Sequence, residues 1–376
     1  MKMRPSINRG LLCAVGLAAS GPGLWGDPVP LGAATCSTSG CHGGAGDRSD
    51  QFAVWSQLDA HSRSYATLTT ARAARMADAL AIANPAESPR CVICHAPLAG
   101  VSPSRLGSGV SAEEGVSCAS CHDMPDGWLR GHTRRDWTRA DRVAAGMRDL
   151  DDLYTRANTC VACHQDIDPA LVSVGRHPAL VFELDGQTQD EPKHWTEGAG
   201  DIGAQAWFVG QAVALREVSW ALLNGRAEAA RSVPEWQGLG WLLSRTGIDY
   251  RLPPLDCSAP APAAFATAVQ TADLLAKRAA QSWTPQNAGL VLRRLAGTRG
   301  DFTGPGADRV TQSFRAERLV LALDRLLSSL PADERPAGSS ALLDNLFHLA
   351  QSRPDFDPAE FARGLDGFAR SLGAGG

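Results

Sequence analysis

The spacing of apolar residues divides the chain near residue 197. Beyond it, long Ala- and Leu-rich runs repeat with helical spacing. Phe208, Ala212, Leu215, Ser219 and Leu222 step at i, i+4, i+7, i+11 and i+14, which puts them on one face of a helix. Leu319, Leu323, Leu326, Leu327 and Leu330 form another stripe. Thr284-Pro285 reads as an N-cap and first helical position, with Gly297 as the stop. Asp357-Pro358-Ala359-Glu360 is a capping-box-like start for Phe361, Leu365, Phe368 and Leu372. The Pro-rich stretch 252–262 is a loop. Together these elements predict a helical bundle of about five or six helices over 198–376.

Before residue 197 the pattern is different. Gly, Pro and short polar turns dominate from 27 to 197, and the one long helical stretch, Asp59 to Asn84, ends before Pro85. Short helices are expected at three cysteine pentads and around Arg139 to Ala157. Such a segment struggles to fill a core from its own side chains, and a bulky apolar cofactor would fill it. The predicted fold class is mainly α: a cofactor-packed domain with little regular structure, then an α-helical bundle.

Composition refines this picture. With 44% apolar and 20% charged residues in a chain of 376, disorder and a many-span membrane protein are excluded. The charge is uneven: residues 27–197 hold 15 Lys and Arg against 22 Asp and Glu, whereas 198–376 are balanced at 18 each. An acidic half argues against a nucleic-acid surface and favours a partner with a basic face. Lys2, Arg4 and Arg9 followed by the apolar run Gly10 to Ser20 read as an export signal over 1–26, cleaved near Gly26. The expected location is the periplasm or another exported, soluble state, with membrane contact only through a partner or an uncleaved N-terminus.

The cysteines carry the chemistry. Eight of ten lie between Cys36 and Cys163, six of them in Cys91-Val-Ile-Cys94-His95, Cys118-Ala-Ser-Cys121-His122 and Cys160-Val-Ala-Cys163-His164. Chance would give roughly 0.006 such pentads in a chain of this composition. Cysteines at i and i+3 share one helical face and can both form thioethers to one haem, while the adjoining His42, His95, His122 or His164 sits under the iron as proximal ligand. Cys36-Ser-Thr-Ser-Gly-Cys41-His42 is a looser copy, for which haem attachment and a plain disulfide both stand; Gly40 can give its longer loop backbone freedom. A zinc ribbon from Cys91, Cys94, Cys118 and Cys121 is the rival for the pentads, but zinc does not require a histidine after every second cysteine.

Removing the proximal histidines leaves five of the nine: His61, His132, His177, His194 and His348. The first four lie in the cysteine-rich half and are distal-ligand candidates for four irons, three of them beside Trp55, Trp128 or Trp195. Met124 and Met147 are the competing methionines. His348, one turn after Asp344 in the bundle, reads as a solvated pair. Cys257 reads as a lone buried thiol.

The run Gly115-Val-Ser-Cys118-Ala-Ser-Cys121-His122 with Trp128 and His132 behind it, preceded by Trp55, His61 and Cys91-x-x-Cys94-His95, resembles the tetrahaem cytochromes c of nitrifying bacteria. Those proteins accept electrons from hydroxylamine oxidoreductase; related multihaem c-type cytochromes share the likeness, which spans about residues 33–197. The resemblance implies four haem c in closely packed pairs, with His132 on the haem of Cys36 and Cys41, His61 on that of Cys160 and Cys163, and His194 on that of Cys118 and Cys121. In a member of that family the second haem is five-coordinate; here His177 either closes the iron on His95 or leaves it open. The CX₄CH site and the helical tail depart from the family, so its physiological partner does not carry over.

Two functions follow as expectations. One is an electron carrier, not an enzyme, whose bis-histidine haems pass electrons between redox proteins. The other is a reductase of a small nitrogen species, nitric oxide or hydroxylamine, at an open iron on His95. For the tail, the sequence leaves an interaction module that docks a redox protein, forms a homo-oligomer or covers a haem.

Overall fold

A computed structural model describes residues 29–46, 49–107, 109–165, 167–197, 202–284, 286–304, 306–352 and 355–373. Residues 1–26, read above as an export signal, and Pro285 lie outside them. Among the described residues the chain is helical and holds no strand, and no helix is long and apolar enough to cross a membrane.

Nine short helices come first: α1 (Gln51–Gln57), α2 (Ser64–Leu68), α3 (Ala71–Ala79), α4 (Pro89–His95), α5 (Cys118–His122), α6 (Arg139–Ala144), α7 (Leu153–His164), α8 (Pro169–Ser173) and α9 (Leu184–Asp190). Each pentad is helical. It closes α4 and α7 and makes up the whole of α5. Pro89 presets the first turn of α4, and the Asp152 carboxylate caps α7 by accepting from the Thr155 amide at 2.8 Å.

The single helix expected over 59–84 is instead a 3-10 turn (Ala60–Arg63) followed by α2 and α3. Hydroxyls break it. Ser64, Thr67, Thr69 and Thr70 each donate to the carbonyl three residues back, and Thr70 then restarts the chain by accepting from the Ala73 amide. The break turns His61 inward on its own short turn.

The second half holds α10 (Gly203–Leu223), α11 (Ala229–Thr246), α12 (Pro262–Ser282), α13 (Gln286–Ala296), α14 (Gly300–Thr303), α15 (Arg309–Ser328), α16 (Ser339–Ala350) and α17 (Pro358–Ser371). Seven of these exceed ten residues, against five or six expected. Periodicity does not reveal α11, which carries Pro234 internally and buries two glycines. A Cβ on Gly240 would stand 2.2 Å from Cys257 Sγ, so the glycine seats that buried thiol. The predicted start of α17 is present: Asp357 accepts from the Ala359 and Glu360 amides, and Phe361, Leu365 and Phe368 are fully buried. The stripe predicted on α10 is only part of its burial, because Val209, Val213 and Ala214 are as buried as Phe208 and Leu215. α10 is the central helix. His348 and Asp344 are both exposed on α16.

Composition changes at 197, but packing continues across it. The main hydrophobic core joins the bundle to Leu153, Ala157 and Val161 of α7 and to Phe182 and Leu184. The remainder of the first half has one small apolar cluster, Leu68, Val92 and Ala96. That segment therefore lacks an apolar filling of its own, in keeping with the need for a cofactor.

Candidate functional site

The local fold carries each cysteine pair to a histidine from elsewhere in the chain. None of the nine described cysteines is in a disulfide, including Cys36 and Cys41. The looser first site closes by a turn: the Cys41 amide donates to the Thr38 carbonyl at 2.8 Å, and the His42 amide returns to the Cys36 carbonyl at 3.1 Å. The glycine this loop requires is Gly43 rather than Gly40. A Cβ on Gly43 would lie 1.8 Å from the Ser37 carbonyl oxygen, whereas Gly40 has open space around it.

All four spare histidines of the cysteine-rich half face the histidine of a cysteine site. Ring centres are 6.1 Å apart for His42 and His132, 6.0 Å for His61 and His164, 6.4 Å for His95 and His177, and 6.5 Å for His122 and His194. Two metal–imidazole bonds of about 2 Å in line, with each ring centre ~1.1 Å behind its nitrogen, would put ring centres about 6.2 Å apart. Each gap suits one metal ion. The planes of the first pair lie 19° apart, and those of the other three cross at 73–85°.

The far side of most rings is tied down, which orients Nε2 toward the gap. His132 Nδ1 donates to the Leu129 carbonyl at 2.6 Å, His177 Nδ1 to Pro178 at 2.8 Å and His95 Nδ1 to Ser64 at 3.1 Å. His42 Nδ1 meets Gln51 Oε1 at 2.9 Å, and His61 Nδ1 meets Asp59 Oδ1 at 3.0 Å. Gln187 approaches His164 Nδ1 at 3.4 Å. His122 Nδ1 is buried without a partner. Trp128 and Trp195 stand edge-on to His132 and His194, while Trp55 instead donates to the Val116 carbonyl just ahead of Cys118.

At four of the rings the surroundings favour the neutral imidazole, the form a metal takes. Burial pushes His122 down to about 4 and lowers His95, His164 and His194. His61 is the exception: its bond to buried Asp59 raises it against burial. Glu191 completes a group with Asp59 and His61 whose ligand atoms lie within 4.8 Å of one another. The thiols also influence one another across sites, Cys36 with Cys118 and Cys94 with Cys163: within each pair one thiol is lowered and the other raised.

Sequence reading missed the residues behind the rings. Ser64 is the chief of them: its hydroxyl donates to the His61 and His95 carbonyls and accepts from the Val116 amide, joining three sites. Gly115, at φ +66°, makes room for it, since a Cβ there would stand 2.5 Å from both Ser64 Oγ and the His61 carbonyl oxygen. Only Asp59, two residues before His61, had a sequence signal, as the cap of that turn.

Residues 35–123 match the family model of cytochrome c554 and c-prime. No curated protein and no solved structure matches the chain. The match takes in the first three cysteine sites and His61; the fourth site, His132, His177, His194 and the bundle lie beyond it. The resemblance is thus partial: over its span the chain is similar to the cytochrome c family, for which covalently bound haem c is the implied cofactor.

Proposed function

We propose that the protein is a periplasmic tetrahaem c-type cytochrome that carries electrons between redox partners through four bis-histidine haems. The observation that carries this reading is the set of four histidine pairs, each at the spacing of two imidazoles about one metal. Cys36 and Cys41, Cys91 and Cys94, Cys118 and Cys121, and Cys160 and Cys163 would supply the thioethers. His42, His95, His122 and His164 would be the proximal ligands, and His132, His177, His194 and His61 the respective distal ones.

The bound haem supplies the one-electron chemistry. The chain's residues do the rest. Backbone carbonyls, Gln51 and Asp59 hold the imidazole planes, so a change of charge is met by fixed ligands rather than by rearrangement. Two neutral imidazoles per site leave no position for a substrate and favour low potentials, since a methionine in place of one histidine is what raises them. Cross-site pairing of Cys36 with Cys118 and of Cys94 with Cys163 brings neighbouring attachment points together, which supports transfer along a chain of sites. The excess acid of residues 27–197 would steer a basic partner into a weak, salt-sensitive complex. The reductase alternative needs an open iron on His95, and the His177 ring opposite it disfavours that reading.

Haem stoichiometry tests the proposal. A pyridine haemochrome assay with intact mass is expected to give four haems per chain; two or fewer would overturn it, and three would locate the fault at Cys36 and Cys41. Spin resonance of the oxidised protein should show low-spin iron throughout, in two classes. Near-parallel ligand planes split the iron dπ orbitals and crossed planes leave them nearly degenerate, so one site should differ from three.

A further inference from the structure

The helical bundle sends a buried ion pair to the fourth cysteine site, Cys160 to His164. Arg318 of α15 and Glu235 of α11 are 2% and 5% exposed, and Arg318 Nη2 donates to Glu235 Oε1 at 2.7 Å. Gln165, the residue directly after His164, donates its amide to the same Glu235 oxygen at 3.1 Å and accepts from the Phe182 amide at 3.1 Å. Arg318 Nη1 closes the circuit by donating to the Phe182 carbonyl at 3.1 Å and reaching Gln211 Oε1 at 3.4 Å. The segment so fixed runs into α9, whose Gln187 lies against His164 Nδ1.

Such a pair is costly to bury. Replacing it by apolar residues is often neutral or stabilising, so its presence asks for a purpose beyond stability. Its place supplies one. It lies next to a redox site through a single residue, in surroundings of low dielectric where a charge acts over distance. Arg318 cannot shed its proton, and Glu235 is the carboxylate that balances it.

Resting on the tetrahaem reading, we infer that Glu235 and Arg318 are positioning residues for the fourth haem site: through Gln165 they hold His164, and their balanced charge sets that site's potential. The bundle thereby becomes part of the redox apparatus. Deleting the negative partner while keeping shape leaves a fixed cation beside the site, and a cation favours the reduced state.

The test uses the full-length haem-loaded protein and a spectroelectrochemical titration of all four sites. Glu235→Gln is expected to raise one of four midpoint potentials and leave three unmoved, and Glu235→Asp, which keeps the charge, to return that midpoint toward the original. Asp301→Asn, which breaks the Arg245–Asp301 pair elsewhere in the bundle, should move none. If Glu235→Gln does not retain four haems, Gln165→Leu replaces it: no charge is removed, and one spin-resonance signal of four should change. Four unmoved potentials in Glu235→Gln, or several moving together, would overturn the inference. A parent protein with two or fewer haems would instead sink the reading on which it rests.

Discussion

Replacing His177 by alanine should switch on carbon monoxide binding at one haem in four. In the reduced variant about a quarter of the Soret band shifts on exposure to the gas, and in the oxidised variant one site turns high-spin. The expectation follows from how His177 is held. Its ring centre lies 6.4 Å from that of His95, and nothing but local bonds keeps it there: Nδ1 to the Pro178 carbonyl at 2.8 Å and its amide to the Leu171 carbonyl at 2.8 Å. The preceding Arg176 sits at φ +61°, a left-handed residue that turns the chain so that the imidazole faces inward. Removal of the ring therefore opens an iron position without removing a structural support. A variant that stays closed to the gas, with all sites low-spin, would mean that His177 is not a ligand.

Ending the chain at residue 197 should cost the fourth haem. Four large apolar side chains of the first half, Leu153, Val161, Phe182 and Leu184, are buried in the bundle's core. Uncovering them forfeits about 6 to 12 kcal/mol at roughly 1.5–3 kcal/mol each, a sum comparable with the net stability of a whole domain. Polar ties go with them. Arg216 of α10 donates to Asn158 on α7 and, with Tyr154 of α7, to Asp273 of α12. The shortened chain should hold three haems at most, or fail to accumulate, by haemochrome assay and intact mass. Four haems with unchanged potentials in that chain would show the bundle to be an independent appendage.

How much of this could be read from sequence differs by the range of the interaction. The pentads are local, and so is the cap at Asp357; both were legible because a spacing of three or four residues carries their physics. That His61, His132, His177 and His194 are four spare histidines for four cysteine sites is a matter of counting. Which faces which rested on resemblance for three of them; in the structure the rings of His61, His132 and His194 stand opposite those of His164, His42 and His122, and His177 stands opposite His95. The residues behind the rings were not legible. Gln51 meets a ring nine residues back with no motif to mark it, and Gln187 reaches His164 from 23 residues away. The break at Ser64 to Thr70 also escaped, because an Ala-rich period hides hydroxyls that prefer the backbone to the solvent. Composition marks a change at 197, and which residues before it pack into the bundle's core was not legible, since alternation and charge along a chain carry no information on which distant faces meet.

The reduced wild-type protein under carbon monoxide puts the central claim to its shortest test. With every iron held between two imidazoles, the Soret band should not move at any of the four sites. A shift of about a quarter of that band would place an open iron in the resting protein, and with it a reductase rather than a carrier.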